Sequence, residues 1–175
     1  MKHEDRSALG IAYRAASRSL DPSTQNGSYL LTDIDGSLQG VTGHNVPIKG
    51  VEIDWNHPHK SEYLHHAEEH AILGAAKRGL STIGATLYVP WYCCLRCART
   101  IIGANIARVV GHKELMAFSS ESNPKWIATT MAGLELLANA GVKCEWITGP
   151  VIAAPIMHAG ASWNPTLLEG TISES

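Results

Sequence analysis

The sequence has no excess of basic residues, no long apolar run and few cysteines. Lys and Arg number 14 against 16 Asp and Glu, so the chain lacks the basic field that supplies most non-specific affinity for nucleic acid. No stretch approaches the ~20 apolar residues that a membrane-spanning helix needs, and residues 1–6 are polar and mostly charged with no apolar segment behind them. We therefore expect a cytoplasmic protein that acts on a small molecule, without nucleic-acid or membrane partners.

The cysteines are scarce but crowded. The sequence contains four, and three of them, Cys93, Cys94 and Cys97, lie close together in the chain. In a reducing compartment such crowding favours metal binding over disulfide formation. The cysteines therefore indicate a metal site.

The order of the predicted elements indicates an α/β fold. The chain has 175 residues, 45% of them apolar, which is the size of one domain. Strands alternating with helices favour a mixed five-stranded sheet covered on both faces, a three-layer α/β/α sandwich. We expect one domain over residues 1–150 and a C-terminal extension of unknown role over residues 151–175. Apolar spacing and turn residues predict helices over 5–20, 66–79, 94–103 and 125–140, a hairpin around Asp35-Gly36, a long loop over 43–65, and strands over 85–89, 106–110 and 142–146.

Two short motifs supply the ligands of a catalytic zinc site. His66 precedes Cys94 and Cys97 by 28 and 31 positions, and the two cysteines, at the start of a predicted helix, project from one face. One imidazole and two thiolates fill three positions of a tetrahedral Zn²⁺ shell, and a fourth position left for water distinguishes a catalytic site from a structural one. Two alternatives stay open: Cys93 could replace Cys94, or Cys93 or His70 could close a structural shell.

A glutamate two residues after the first ligand is placed for proton transfer. Attack by a zinc-bound water needs a group that accepts a proton from the water and delivers it to the substrate and the leaving group, and one carboxylate can do both. Glu68 occupies this position. A helix turns the neighbouring Glu69 about 100° away, so we interpret Glu69 as a solvated or salt-bridged residue.

These motifs and their surroundings resemble the deoxycytidylate (dCMP) deaminases of the zinc-dependent cytidine deaminase superfamily, whose signature is H-x-E…P-C-x-x-C. Residues 66–68 (HAE) and 94–97 (CLRC) match that signature, with Cys93 in place of Pro. Residues 21–27 (DPSTQNG) resemble the family segment D-P-x-[ST]-Q-V-G, residues 43–47 (GHNVP) its substrate loop G-Y-N-G-x-P, and residues 88–94 (YVPWYCC) its segment Y-V-P-W-F-P-C. His70 stands where the family has Asn. The resemblance covers roughly residues 8–147.

The resemblance implies a cytidine deaminase-like fold, with one Zn²⁺ as cofactor and Glu68 as the catalytic acid and base. The implied reaction is hydrolysis of dCMP, or a close pyrimidine deoxynucleotide, to dUMP with release of ammonia. A homo-oligomer, hexamer or dimer, and regulation by dCTP and dTTP are implied as well. Two other functions stay open: deamination of another base, such as tRNA adenosine, guanine or a cytidine analogue, and a catalytically silent zinc-binding nucleotide sensor.

Five further residues are candidate substrate contacts. In the family the residue equivalent to Asn45 hydrogen-bonds the nucleoside, although an Asn two residues before a Pro is also an ordinary turn residue. Trp91 and Tyr92 could form an aromatic wall for the base, or pack in the core at a strand end. Lys60 and Lys49 are candidates for a 5′-phosphate, and the alternative for each is a solvated lysine.

Overall fold

The computed structural model describes residues 2–122 and 124–172. A 3₁₀ turn over Lys60–Tyr63 precedes the fourth strand. The helices of this part of the chain are α1 (Lys2–Ala16), α2 (Ala67–Lys77), α3 (Leu95–Gly103), α4 (Lys113–Ser122) and α5 (Pro124–Asn139). Its strands are β1 (Gly27–Ile34), β2 (Ser37–His44), β3 (Val46–Pro47), β4 (Leu64–His65), β5 (Thr86–Tyr88), β6 (Arg108–His112), β7 (Lys143–Ile147), β8 (Ile156–His158), β9 (Ala161–Asn164) and β10 (Glu169–Ile172).

The central sheet contains five strands in the order β2-β1-β5-β6-β7. Strand β1 pairs antiparallel with β2 and β5, whereas β5, β6 and β7 run parallel. The β1–β2 hairpin turns at Asp35 and Gly36, whose positive φ angles of 53° and 81° are those that a tight two-residue hairpin turn requires. The predicted mixed five-stranded sheet is therefore confirmed.

Alternate residues of the central strands face two separate cores, because successive side chains of a strand point to opposite faces. Leu30, Leu87 and Val109 pack in the first core, which is shared with α2, α3 and α5. Tyr88 and Val110 pack in the second core, together with α1 and strands β8 and β9. The predicted three layers are thus present, but C-terminal strands join α1 in one outer layer.

A glycine of β2 brings α2 close to the sheet. A Cβ atom on Gly43 would lie 2.1 Å from the carbonyl oxygen of Ala67, so only glycine permits this approach. The hydroxyl of Ser28 on β1 donates a hydrogen bond of 2.6 Å to the same carbonyl. These contacts fix the first turn of α2, which carries the HAE motif, against the edge of the central sheet.

The C-terminal segment forms an antiparallel sheet of its own, β8-β9-β10. Its Trp163 is 2% exposed, and the indole Nε1 donates a hydrogen bond of 3.1 Å to the hydroxyl of Tyr13 on α1. The Tyr13 oxygen lies 2.7 Å from Nδ1 of the buried His112. The described part of the predicted extension, residues 151–172, is therefore packed on the second core, and residues 173–175 lie outside the described residues.

Two local predictions needed correction. Residues 113–122 form α4, where no helix was predicted, and the long loop predicted over residues 43–65 contains β3, β4 and the 3₁₀ turn. Two-residue strands carry too little periodicity to be read from a sequence. Within the described ranges, no helix is long and apolar enough to cross a membrane.

Candidate metal and substrate site

The three predicted zinc ligands meet at the starts of two helices. His66 is the N-cap residue of α2 and Cys94 that of α3, with Cys97 in the first turn of α3. His66 Nδ1 lies 3.5 Å from Cys94 Sγ and 3.4 Å from Cys97 Sγ. Zn–S and Zn–N bonds of about 2.3 and 2.0 Å at a tetrahedral angle place S and N about 3.5 Å apart. The three residues therefore fit a single tetrahedral zinc ion.

Within the cluster, the mutual hydrogen bond of the two cysteines favours the thiolate at Cys94 and the thiol at Cys97. Hydrogen bonding with Cys97, helped by the neighbouring His66, lowers the pKa of Cys94 to about 4. Cys93 stays outside the cluster: it is fully buried in the first core, and burial raises the pKa of its thiol. The ligand atoms of His66, Cys94 and Cys97 lie within 4.8 Å of one another, so the geometry favours the Cys94–Cys97 pair over Cys93–Cys97.

An ion pair holds the two helix starts together. The guanidinium of Arg96, between the two cysteine ligands, donates hydrogen bonds to both carboxylate oxygens of Glu69, at 3.1 and 2.9 Å. The same guanidinium donates a 2.8 Å bond to the carbonyl of Leu64, and the backbone N–H of His66 donates to Glu69 at 3.3 Å. Glu69 is thus salt-bridged, one of the two roles that the sequence predicted for it.

Glu68 points into the same pocket as His66 and Cys94. Its side chain is 2% exposed, and its Oε2 atom has no hydrogen-bond partner among the residues that the structure describes. Burial raises the pKa of Glu68 to about 7. A carboxyl group with this pKa can both accept and donate a proton near neutral pH.

Asn45, Trp91 and Tyr92 all line this pocket. The Asn45 amide donates to the carbonyl of Thr24 at 3.2 Å and accepts the Ala67 N–H at 3.1 Å, so it also anchors the first turn of α2. Trp91 is 9% exposed. Tyr92 is largely committed to the core, since its hydroxyl donates to the carbonyl of Val109 at 2.9 Å.

The two lysines have different positions. Lys60 lines the pocket, and its Nζ atom lies 2.7 Å from both Asp21 Oδ1 and Ser23 Oγ. The interpretation of Lys60 as a merely solvated lysine is therefore wrong. Lys49 is exposed in the turn after β3 and is not among the lining residues. The structure does not bring Lys49 to the site.

The pocket contains residues that the sequence did not single out. Thr24 and Asn26 lie in the segment 21–27 that carries part of the resemblance, but no spacing rule marked their side chains. Trp126 and Thr130 come from α5, and a glycine explains their position: a Cβ on Gly133 would lie 2.7 Å from the Cys93 carbonyl oxygen. The full lining comprises Asp21, Thr24, Asn26, Asn45, His57, Pro58, Lys60, Ser61, Leu64, His66, Glu68, Trp91, Tyr92, Cys94, Trp126 and Thr130.

His70 contacts backbone rather than the zinc cluster. Its Nδ1 atom lies 3.3 Å from the amide nitrogen and 3.1 Å from the carbonyl oxygen of His44. The two imidazole rings meet edge to face with their centroids 4.9 Å apart. His70 therefore packs α2 against the end of β2 and does not belong to the cluster of zinc ligands.

Comparison with known proteins gives concordant results. The family model described as "Cytidine and deoxycytidylate deaminase zinc-binding region" matches residues 2–113. The chain is 26% identical to the deoxycytidylate deaminase of Pongo abelii over 134 residues, covering 72% of this chain and 74% of that protein. It is 33% identical to the probable deoxycytidylate deaminase of Caenorhabditis elegans over 108 residues, 58% of this chain and 53% of that protein.

A solved structure is similar in fold. The dCMP deaminase of the cyanophage S-TIM5, in complex with dCMP and dUMP, superposes with a TM-score of 0.63 at 19% identity. The match covers 83% of this chain and 97% of the phage chain. The fold that the sequence predicted is thus found in the solved structure of a dCMP deaminase.

Proposed function

The chain belongs to the zinc-binding cytidine and deoxycytidylate deaminase family, and on this premise we propose that it hydrolyses dCMP to dUMP and ammonia. The observation that carries the proposal is the juxtaposition, in one pocket, of a zinc ligand cluster and the buried carboxylate of Glu68. Similarity to deoxycytidylate deaminases supports dCMP as the substrate.

His66, Cys94 and Cys97 would hold a zinc ion, which would lower the pKa of a water molecule and so supply a nucleophile near neutral pH. Glu68 accepts the first proton from the attacking water and passes it to N3 of the cytosine ring. It then carries the second proton from the new C4 hydroxyl to the amino nitrogen, which leaves as ammonia. The product keeps one proton at N3 and a carbonyl at C4, so the atoms balance.

The surrounding residues bind and orient the nucleotide in this proposal. Asn45 holds the nucleoside while it anchors α2, Trp91 supplies an aromatic wall for the base, and Tyr92 supports that wall from the core. Lys60 is the proposed contact for the 5′-phosphate, because it is the one lysine of the described pocket lining, which contains no arginine. Lys49 is left out of the proposed site.

The proposal extends to the wider organisation of the protein. Residues 1–150 act as the deaminase domain and residues 151–175 as an extension, of which the described part, residues 151–172, completes the outer layer. Family resemblance supports a cytoplasmic homo-oligomer, hexamer or dimer, that dCTP and dTTP regulate. Measuring the molar mass in solution with and without each nucleotide, together with initial rates, tests both features.

Replacing Glu68 by Gln tests the reaction. The variant keeps the volume of the side chain but cannot shuttle protons, so turnover of dCMP should fall by about 10²- to 10⁴-fold. Zinc content and melting temperature should stay close to those of the wild type. Glu135→Gln is the matched control, since it makes the same change at an exposed position of α5 outside the pocket lining. An unchanged rate for Glu68→Gln with zinc bound would refute the mechanism, and no ammonia release from dCMP by the wild type would refute the substrate.

A further inference from the structure

Buried polar atoms without partners are concentrated in the pocket. Six buried side-chain oxygen or nitrogen atoms lack a hydrogen-bond partner within the described residues, and four of them line this one pocket. The four are Asn26 Oδ1, Glu68 Oε2, Trp91 Nε1 and Thr130 Oγ1. Since buried polar groups are normally hydrogen-bonded, this concentration indicates groups that a ligand completes. Glu68 is assigned to proton transfer, which leaves three groups to explain.

Asn26 is held rigidly beside the proposed nucleoside contact. Asn26 is 7% exposed. Its main-chain carbonyl oxygen accepts a hydrogen bond of 3.2 Å from the Asn45 N–H. The next residue, Gly27, is tightly packed on α1: a Cβ there would lie 2.1 Å from the Ala12 carbonyl oxygen. The backbone on both sides of the Asn26 side chain is therefore closely packed. The family segment quoted above has an apolar Val at this position.

Thr130 is held just as firmly on the other contributing element. It is 0% exposed and lies one helical turn after Trp126, which also lines the pocket. One turn further along, Gly133 brings α5 against the backbone of Cys93 and Cys94, the two residues directly before α3. The Thr130 hydroxyl therefore occupies a fixed place in the pocket wall.

The three groups together have the chemistry of a neutral hydrogen-bonding site. Asn26 offers an acceptor, Trp91 a donor, and Thr130 a hydroxyl that can do either. A phosphate is bound by cations and charge-assisted donors, whereas base edges and sugar hydroxyls are neutral. We propose that Asn26, Trp91 and Thr130 hydrogen-bond the nucleoside part of the substrate and determine which base and sugar the enzyme accepts. This inference rests on the proposed deaminase function.

The test compares three variants that replace polar atoms by methyl groups of nearly the same shape. Thr130→Val and Asn26→Leu remove two of the unpartnered groups. Thr32→Val is the matched control, because Thr32 is 2% exposed, lies on β1 outside the pocket lining, and donates a 2.8 Å hydrogen bond to the Ser81 carbonyl. Melting temperature, zinc content and kcat/KM for dCMP and for deoxycytidine are measured for each.

The expected results have opposite signs for the pocket and control variants. Thr130→Val and Asn26→Leu should lower kcat/KM by about 5- to 10-fold, because each removes a hydrogen bond to the substrate. They should also raise the melting temperature of the ligand-free protein by about 2–4 °C, because an unsatisfied buried group is removed. Thr32→Val should lower the melting temperature by about 2–4 °C and leave kcat/KM unchanged.

Two results would overturn the inference. If Thr130→Val and Asn26→Leu melted below the wild type and kept full kcat/KM, these groups would be structural. If the loss were present with dCMP but absent with deoxycytidine, they would contact the phosphate rather than the nucleoside.

A wrong substrate assignment gives a different pattern. The wild type would then release no ammonia from dCMP, and the same variants would be compared on whichever base of a nucleoside and nucleotide panel it does deaminate. A loss of kcat/KM on that substrate, with raised melting temperatures, would support the inference. An unchanged kcat/KM would reject it.

Discussion

Removing the Arg96 guanidinium should weaken zinc binding although Arg96 is not a ligand. Arg96→Met deletes two bonds to Glu69, at 3.1 and 2.9 Å, one to the Leu64 carbonyl, at 2.8 Å, and one to the exposed carboxylate of Glu62, at 3.1 Å. The Arg96 side chain is 33% exposed and that of Glu69 16% exposed, so solvent screening reduces the Coulomb energy of the pair. We expect a loss of about 2 kcal/mol in the free energy of unfolding, which corresponds to a fall of about 4–8 °C in melting temperature.

The effect on zinc follows from the position of this ion pair. The helix starts that carry His66 and Cys94 are joined through Arg96 and Glu69, so the variant loosens the ligand geometry. Residues that orient metal ligands typically change metal affinity by about 10- to 100-fold when replaced. Zinc retention is measured by competition with a chelator of known affinity, alongside thermal unfolding.

Arg99→Met provides the control for Arg96→Met. Arg99 lies on the same helix, carries the same charge and is exposed. Arg99→Met should therefore keep the zinc affinity and melting temperature of the wild type. If both variants released zinc at the same chelator concentration, the net charge near the site rather than the ion pair would control affinity, and the geometric reasoning would fail.

Two further predictions concern the second core. Asp5 accepts hydrogen bonds from Arg108 and Tyr88, and the Arg108 bond lowers the pKa of Asp5 below its usual range. Its stabilising contribution is therefore complete above about pH 4 and is lost as the pH falls through the lowered pKa; in acid titrations of the unfolding free energy, Asp5→Asn should flatten this loss. In steady-state assays, His158→Ala should raise KM more than it lowers kcat. The centroid of the His158 ring lies 4.5 Å from that of Trp91, so this ring supports the aromatic wall proposed for the base. Equal effects on KM and kcat would contradict this role.

The sequence predicted the metal site because each of its parts is local. His66 caps one helix and Cys94 another, and a helix start has a geometry that three or four residues determine. The central sheet was also predictable, since its buried strands alternate with amphipathic helices and the Asp35-Gly36 turn marks the hairpin. Zinc as the cofactor and the family are confirmed by the comparisons and the ligand cluster.

The rest of the pocket depends on packing between distant elements. Thr130 reaches the site because Gly133 lets α5 approach the backbone of Cys93 and Cys94. The apolar periodicity of α5 predicts a helix but does not indicate which element that helix will contact. Lys49 and Lys60 have the same charge in the same predicted loop, but the 3₁₀ turn directs only Lys60 to the pocket. The roles of Asn45, Trp91, Tyr92, Lys60 and Glu68 stay predictions until variants are assayed.

The parts of the site are formed by residues at very different separations along the chain, and this difference affects the order in which the parts assemble. His66 and Cys97 are 31 residues apart, whereas the hydrogen bond between Tyr13 and Trp163, which ties the C-terminal strands to α1, spans 150. Loop closure is entropically less favourable over longer intervals, and long-range contacts form late. During synthesis, all of the zinc ligands leave the ribosome before the strand that carries His158. We therefore expect the nascent chain to bind zinc before the wall formed by Trp91 is supported and the nucleotide can be held.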